Sequence, residues 1–299
     1  MTTITTDGKV RRSVQQQFMG IPTADGDGVK LTRIIGSPQI NYFDPFLLLD
    51  CFESDDVNDY IGGFPAHPHR GFETVTYLLN GRMRHKDNAG HEGLIESGGV
   101  QWMTAAKGII HSEMPEQEAG LLKGFQLWVN LPASAKMSAP KYQEFPPQST
   151  PLERHDNGTE IRVISGTTNQ GTVGPVVNDY TFPTYLDVNL PADTDFEQSL
   201  PTEHNAFIYV IDGDVRVVAD DVADDNDQLE SSNNQLAAKT LGILTQGDRL
   251  LVTSGSQGAR LLLIAGQPLH EPIARGGPFV MNTKAEVLQA FADFNQGNF

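Results

Sequence analysis

The feature that most constrains this sequence is a pair of short motifs, each of which places two potential metal ligands one residue apart. The first motif contains His67 and His69, and the second contains His111 and Glu113. In a β-strand, residues two apart point to the same face, with about 6.6 Å between their Cα atoms. If the two motifs lie on neighbouring strands, three imidazoles and one carboxylate converge on one point. We therefore expect a small β-barrel built around a metal ion.

This ligand set suits a divalent first-row metal that keeps coordination positions open for a substrate. The residues alone would accept iron, copper, nickel, manganese or cobalt. One His-x-His motif is weak evidence, but a His-x-Glu motif about forty residues later strengthens it. The alternative is two unrelated pairs of surface or core residues. Pro68 cannot donate a hydrogen bond to a neighbouring strand, so its segment is expected at a sheet edge or a barrel mouth.

The rest of the chain has the pattern of an all-β protein. It contains 29 glycines and 18 prolines among its 299 residues, and short apolar segments recur between turn signals. Segments 29–35, 72–80 and 124–132 are predicted strands because they are rich in β-branched and aromatic residues. Segment 206–218 is predicted to be a hairpin with Asp212-Gly213 at its tip. The pattern favours sandwiches or barrels.

The sequence is expected to form two domains, residues 1–140 with the metal ligands and residues 141–299 without them. Segment 133–152 contains four prolines and is interpreted as the linker. Segment 220–239 is acidic and low in complexity, which is typical of an exposed inserted loop.

A helix is predicted over 282–294, where Thr283 and Glu286 form a capping-box pattern. Its expected apolar face consists of Val287, Leu288, Phe291 and Phe294.

Composition excludes several functional classes. A formal net charge of −17 opposes direct binding to nucleic acid and to anionic membrane surfaces. The longest apolar runs are too short to span a bilayer. Cys51 is the single cysteine, so no intrachain disulfide can form, and we expect it to be a buried thiol. Together with the absence of an apolar leader, this favours the cytoplasm.

Three more side chains are expected near the metal ligands. Glu73 should face inward, because it shares strand parity with His67 and His69, and we expect it to accept a hydrogen bond from an imidazole N–H. Arg70 and Gln126 are further candidates for the pocket, with a purely structural role as the alternative. The remaining histidines lack ligand-type spacing and are expected on the surface; they are His85, His91, His155, His204 and His270.

Four longer motifs resemble the pirin family, a branch of the cupin superfamily. They are HPHRGFETVTYLL, GGVQWMTAAKGIIHSEMP, GFQLWVNLP and GPFVMNTKAEVLQAF. The resemblance implies an all-β bicupin fold, in which two stacked cupin (jelly-roll) β-barrels are followed by a short C-terminal helix. It also implies an iron ion in the N-terminal barrel only, held by His67, His69, His111 and Glu113. Glu73 occupies the position of a general cupin ligand that pirins do not use.

The resemblance implies two alternative functions. The first is an iron-dependent dioxygenase of the quercetin 2,3-dioxygenase type, which opens flavonol-like substrates with O₂. Glu113 would then act as the general base, and the candidate walls for a flat aromatic substrate are Phe64, Phe72, Trp102 and Met103. Packing into the core is the alternative for these four residues, and it is at least as strongly favoured for Phe72 and Trp102. The second is a regulatory protein that binds a protein partner and uses the iron as a redox or structural switch.

Overall fold

The computed structural model of the chain describes residues 10–220 and 234–299. Most of the acidic segment 220–239 therefore lies outside the described residues, and its last part forms a short strand, Gln235–Ala237. Among the described residues, no helix combines the length and the apolar character that crossing a membrane requires. The chain is mostly β-structure and belongs to the cupin fold expected from the sequence.

The strands are defined here in chain order. The first twelve are β1 (Val14–Met19), β2 (Ile21–Asp25), β3 (Val29–Ile35), β4 (Phe46–Ser54), β5 (Phe64–His69), β6 (Phe72–Asn80), β7 (Arg82–Asp87), β8 (Glu92–Glu96), β9 (Val100–Thr104), β10 (Ile109–Pro115), β11 (Leu122–Asn130) and β12 (Lys141–Phe145). The others are β13 (Leu152–Arg154), β14 (Glu160–Ser165), β15 (Thr184–Leu190), β16 (Asp195–Ser199), β17 (Asn205–Val217), β18 (Gln235–Ala237), β19 (Thr240–Leu244), β20 (Arg249–Gly266), β21 (Ala274–Gly276) and β22 (Phe279–Met281), followed by the helix α1 (Lys284–Asn295).

The described chain divides into two compact units. The N-terminal unit consists of residues 21–149 and 269–299, and the C-terminal unit consists of residues 10–20 and 150–268. This division differs from the expected 1–140 and 141–299 in two ways. Strand β12, inside the segment interpreted as a linker, pairs with β9 of the N-terminal unit. In addition, residues 10–20 belong to the C-terminal unit, and residues 269–299 belong to the N-terminal unit.

The N-terminal unit contains two main sheets. One has the strand order β12-β9-β6-β11-β4-β3-β2, and the other has the order β5-β10-β7-β8. The predicted strands 29–35 and 72–80 are confirmed as β3 and β6, and the third prediction corresponds to β11. Strand β6 is buried from Phe72 to Leu79, because it lies in the middle of its sheet and both of its faces are covered. Central strands of this kind give the ligand-bearing strands a rigid support.

The C-terminal unit is built on a nine-stranded sheet with an aliphatic core. The predicted hairpin at Asp212-Gly213 is wrong, because β17 runs as one strand from Asn205 to Val217. It keeps pairing with β20 on both sides of this dipeptide, with register shifts next to it. Gly213 has a φ of 74°, and a Cβ there would lie 2.1 Å from the carbonyl oxygen of Gly258. The Asp-Gly signal therefore marks a bulge in a bent strand rather than a chain reversal.

Helix α1 begins with the predicted capping box. The side chain of Thr283 accepts from the Glu286 N–H, and the Glu286 side chain accepts in return from the Thr283 N–H. Val287 is buried, as expected, but Leu288 is 60% exposed and Phe291 is 38% exposed. The expected apolar face was too wide, since the buried stripe continues through Ala290 instead of Leu288.

Candidate metal centre

The two ligand motifs lie on paired strands. Strands β5 and β10 are antiparallel neighbours, with His111 opposite His67 and Ile109 opposite His69. Directly opposed residues point to the same face of a sheet, so the three imidazoles share one face. A register shift after His111 places Glu113 opposite Phe64. Strand β5 is the edge strand of its sheet, in agreement with the expectation from Pro68.

The three imidazoles form a compact cluster. Each of the three histidines, His67, His69 and His111, offers one ring nitrogen to the cluster. These three nitrogens lie within 4.8 Å of one another. The Nε2 atoms of His67 and His69 are 3.0 Å apart. Two nitrogens bound at right angles to one ion, each at about 2.1 Å, would be separated by about 3 Å. The spacing of this pair therefore fits two neighbouring positions of a single coordination sphere.

The protonation state of the cluster also fits a metal ion. Burial lowers the pKa of His111 to about 4, and burial lowers the pKa of His69 well below its ordinary value. Both rings are therefore neutral near pH 7, which is the state that binds a metal. Both nitrogens of His111 are buried and have no hydrogen-bond partner among the described residues. A bound ion would satisfy one of them.

The Glu113 carboxylate stands beside the imidazoles. It is buried, and its Oε2 lies 4.0 Å from Nε2 of His111. The Thr76 hydroxyl donates a hydrogen bond of 2.6 Å to the other carboxylate oxygen, Oε1. The tight cluster of potential ligand atoms among the described residues contains only the three imidazoles. Glu113 thus lies at the edge of the imidazole cluster, with Oε1 held by Thr76 and Oε2 on the side of His111.

His67, His69 and Glu113 lie in the wall of an open cavity with a volume of about 660 Å³, whereas His111 does not line it. Its apolar wall includes Leu31, Leu48, Phe52, Phe64 and Trp128, and its polar wall includes Gln126, Arg33, Asp50 and Arg275. A volume of this size and a mostly apolar lining are typical of small-molecule sites.

The predicted pocket residues divide into two groups. Phe64 and Gln126 line the cavity, whereas Phe72, Trp102 and Met103 are almost fully buried and do not line it. Phe72 lies behind the wall, with its ring 5.1 Å from that of His69. Trp102 and Met103 instead follow the core-packing alternative, because strand β9 is buried throughout.

Glu73 and Arg70 are not in the cavity wall either. The parity argument for Glu73 failed because the strand is interrupted: Gly71 has a φ of 90°, and a Cβ there would lie 1.9 Å from the Val280 carbonyl oxygen. Glu73 accepts a hydrogen bond of 2.7 Å from Thr104 on the neighbouring strand. Arg70 forms a 2.6 Å ion pair with Asp293 of helix α1. It therefore attaches the helix rather than tuning the metal site.

The prediction that the remaining histidines lie on the surface is wrong for two of them. His85 is 2% exposed and His204 is 4% exposed. His85 is on β7 directly opposite Glu113, and its Nε2 contacts the Glu144 carboxylate. Spacing alone missed this position because the residue is brought beside the metal ligands by strand pairing.

Sequence reasoning also missed several residues of the cavity, among them Trp128, Arg33 and Arg275. Trp128 lies two residues after Gln126 on β11, so strand parity could have identified it. Its ring lies 5.1 Å from that of His69. Arg33 lies on the predicted strand 29–35 and Arg275 on a segment without a motif, and nothing local marked either side chain as part of a site. The fold brings both into the cavity wall together with His67, His69 and Glu113.

The chain matches the Pirin family model over residues 28–129 and the model of the Pirin C-terminal cupin domain over residues 185–299. It is 52% identical over 288 residues to a pirin-like protein of Caulobacter vibrioides, covering 96% of this chain and 99% of that protein. It is 42% identical over 275 residues to human pirin, covering 91% of this chain and 88% of the relative.

Among solved structures, quercetin 2,3-dioxygenase from Acinetobacter baumannii superimposes with a TM-score of 0.84 at 33% identity, over 97% of this chain and 98% of that one. The sequence motifs, the cupin fold and these matches agree, and the chain belongs to the pirin family.

Proposed function

We propose that this protein is a metal-dependent dioxygenase of the quercetin 2,3-dioxygenase type, which opens flavonol-like aromatic substrates with O₂. One observation carries the proposal: His67, His69 and the buried carboxylate of Glu113 lie in the wall of an open, mostly apolar cavity of about 660 Å³, and His111 completes the cluster of three imidazoles. A purely structural metal site has no need for such a cavity. The similarity to a solved quercetin 2,3-dioxygenase supports the same reaction class.

In this proposal, His67, His69 and His111 hold the ion, and Glu113 completes the set of protein ligands. Iron is the metal that the family resemblance implies. When bound, a divalent cation lowers the pKa of a coordinated substrate hydroxyl and offers an open position next to it.

The protein residues would then bind the substrate and move its proton. Leu31, Phe52, Phe64 and Trp128 provide flat apolar surfaces that hold aromatic rings and exclude water. Glu113 accepts the hydroxyl proton on Oε2, the oxygen that faces His111, while Thr76 keeps Oε1 fixed. The substrate enters the reaction as an electron-rich oxyanion, which is the form that reacts with O₂.

The test is aerobic incubation of the iron-loaded protein with quercetin, with carbon monoxide and the depside product as readouts. We expect both products from the wild type and a loss of at least 100-fold in turnover from Glu113→Gln, since general-base catalysis contributes roughly 10²–10⁴-fold. Glu118→Gln is a matched control, because it removes an exposed carboxylate a few residues away. No product with either iron or copper would contradict the proposal.

A further inference from the structure

The cavity contains a cationic group that the metal chemistry does not use. Arg275 of β21 lies in its wall, with the guanidinium carbon 4.8 Å from the ring centroid of Trp128. Its Nη1 donates a long hydrogen bond of 3.4 Å to the carbonyl oxygen of Leu47. Among the residues that the structure describes, no carboxylate forms an ion pair with Arg275. The guanidinium therefore keeps free donors.

The other arginine in the wall has a different environment. Arg33 makes a two-point contact with Asp50, from Nε at 3.0 Å and from Nη2 at 2.8 Å. Its Nη2 also lies 2.9 Å from Asp25. Arg33 thus holds both carboxylates at hydrogen-bond distance, whereas Asp50 and Asp25 interact with Arg275 only through space, without an ion pair.

Trp128 links this arginine to the metal ligands. Its ring lies 5.1 Å from the His69 ring and beneath the Arg275 guanidinium. Trp128 therefore contacts both the Arg275 guanidinium and the ring of one proposed metal ligand, His69. Stacking on an indole fixes the guanidinium plane but leaves its edge donors available to a ligand.

Building on the proposed function, we propose that Arg275 is an anion-binding residue for the substrate. The substrate class is then an aromatic compound that directs a hydroxyl to the metal centre and carries a carboxylate at its other end. Arginine is suited to this task, because its planar donors match the two oxygens of a carboxylate. The protein as a whole carries a net charge of −17, so this local cation supplies selectivity that the overall field does not.

The test compares two ligands of the same shape and different charge. They are 3-hydroxyflavone with a 4′-carboxylate and 3-hydroxyflavone with a 4′-carboxamide. Their dissociation constants for the iron-loaded protein are measured by calorimetry without O₂, so that no turnover is required. We expect the carboxylate to bind about tenfold more tightly than the amide in the wild type. We also expect Arg275→Gln to abolish this preference while changing affinity for the amide by less than about twofold.

Two further variants control for charge. Arg216→Gln removes an exposed positive charge in the C-terminal unit and should keep the tenfold preference. Asp27→Asn removes an exposed carboxylate from the cavity wall and should strengthen binding of the carboxylate ligand.

Equal affinities for the two ligands in the wild type, or an undiminished preference in Arg275→Gln, would overturn the assignment. Carbon monoxide release from quercetin is measured separately, so failure of the oxygenase reaction is distinguished from failure of anion recognition.

Discussion

The hydroxyl of Thr76 donates a hydrogen bond of 2.6 Å to Oε1 of Glu113, and the same hydroxyl oxygen lies 2.7 Å from Oε1 of Gln126. A hydroxyl has one proton, which favours the charged acceptor. A flip of the Gln126 side-chain amide would turn its NH₂ group toward Thr76 and complete the network. Thr76 thus positions the carboxylate that we propose as the base, without itself contacting the three imidazoles.

Replacing Thr76 tests this positioning role. We expect Thr76→Val to lower kcat about tenfold with little change in KM, because the carboxylate loses its anchor while the apolar walls remain. Thr76→Ser restores the hydroxyl and should recover most of the activity. The measurement is steady-state turnover of quercetin together with metal content. Equal loss in the Val and Ser variants would point to a packing defect instead.

The histidine cluster predicts the metal stoichiometry. Single variants His67→Ala and His111→Ala should lose most of the bound metal, because each removes one of three converging nitrogens. Metal content per chain is measured by elemental analysis after loading and desalting. His270→Asn is the control, since His270 is exposed and its φ of 54° is one that asparagine tolerates. An unchanged metal content in His67→Ala would refute the site.

Metal removal should lower thermal stability. A ligand that binds only the folded state stabilises it by mass action, so chelation is expected to reduce the Tm of the wild type. The same chelator should leave the Tm of His111→Ala nearly unchanged, because that variant has little metal to lose. Differential scanning calorimetry with and without chelator measures both. If the chelator lowered the Tm of both proteins equally, its effect would not come from removing metal from the histidine cluster.

The attachment of helix α1 through Arg70 predicts a stability effect without loss of metal. Arg70 is 3% exposed, pairs with Asp293 at 2.6 Å, and lies 4.2 Å from the ring of Phe299. We expect Arg70→Met to lower the free energy of unfolding by about 2 kcal/mol, measured by urea denaturation. Arg84→Met is the control: the ion pairs of Arg84 with Glu92 and Glu116 are partly exposed, so this variant should lower the free energy of unfolding by clearly less than Arg70→Met does.

Lys136 predicts a pH dependence of stability. Its ammonium donates to Asn130 at 2.6 Å and to the carbonyl oxygens of Gly71 and Val280 at 2.7 and 3.0 Å. Burial lowers the pKa of Lys136 from 10.5 to about 8. Between these values the unfolded chain holds a proton that the folded chain has released, so stability rises with pH.

The variant Lys136→Met isolates this effect. We compare the free energy of unfolding of the wild type with that of Lys136→Met. The difference, wild type minus variant, should increase by up to about 1.4 kcal/mol per pH unit as the pH rises from 8 toward 10. Urea denaturation at several pH values measures this difference. Lys284→Met removes an exposed lysine and controls for the loss of one charge. A constant difference from pH 8 to 10 would contradict the assignment.

Local sequence signals predicted the parts of the molecule that depend on local structure. The His-x-His and His-x-Glu spacing around His67 and His111 predicted two neighbouring strands, which are β5 and β10. The capping-box pattern of Thr283 and Glu286 predicted the start of helix α1. Local reasoning failed where the backbone departs from a regular strand, at Gly71 and Gly213, because a positive φ breaks the alternation or mimics a turn.

The cavity itself was beyond local reasoning. Arg275 reaches the wall from a strand far along the chain, after the whole C-terminal unit has been completed. No period or motif marks such a residue, since its position is set by long-range packing. Trp128 is the exception, because its parity with Gln126 was available in the sequence.

The exchange of the chain ends between the two units has a practical consequence for dissecting the protein. A cut between residues 149 and 150 would produce one fragment without its closing helix and another without the edge strand β1. Neither piece would be a complete folding unit, so expressing the halves separately should give unstable products. Restoring the native fold would require co-expressing or mixing the two fragments, because each supplies the segment that the other lacks.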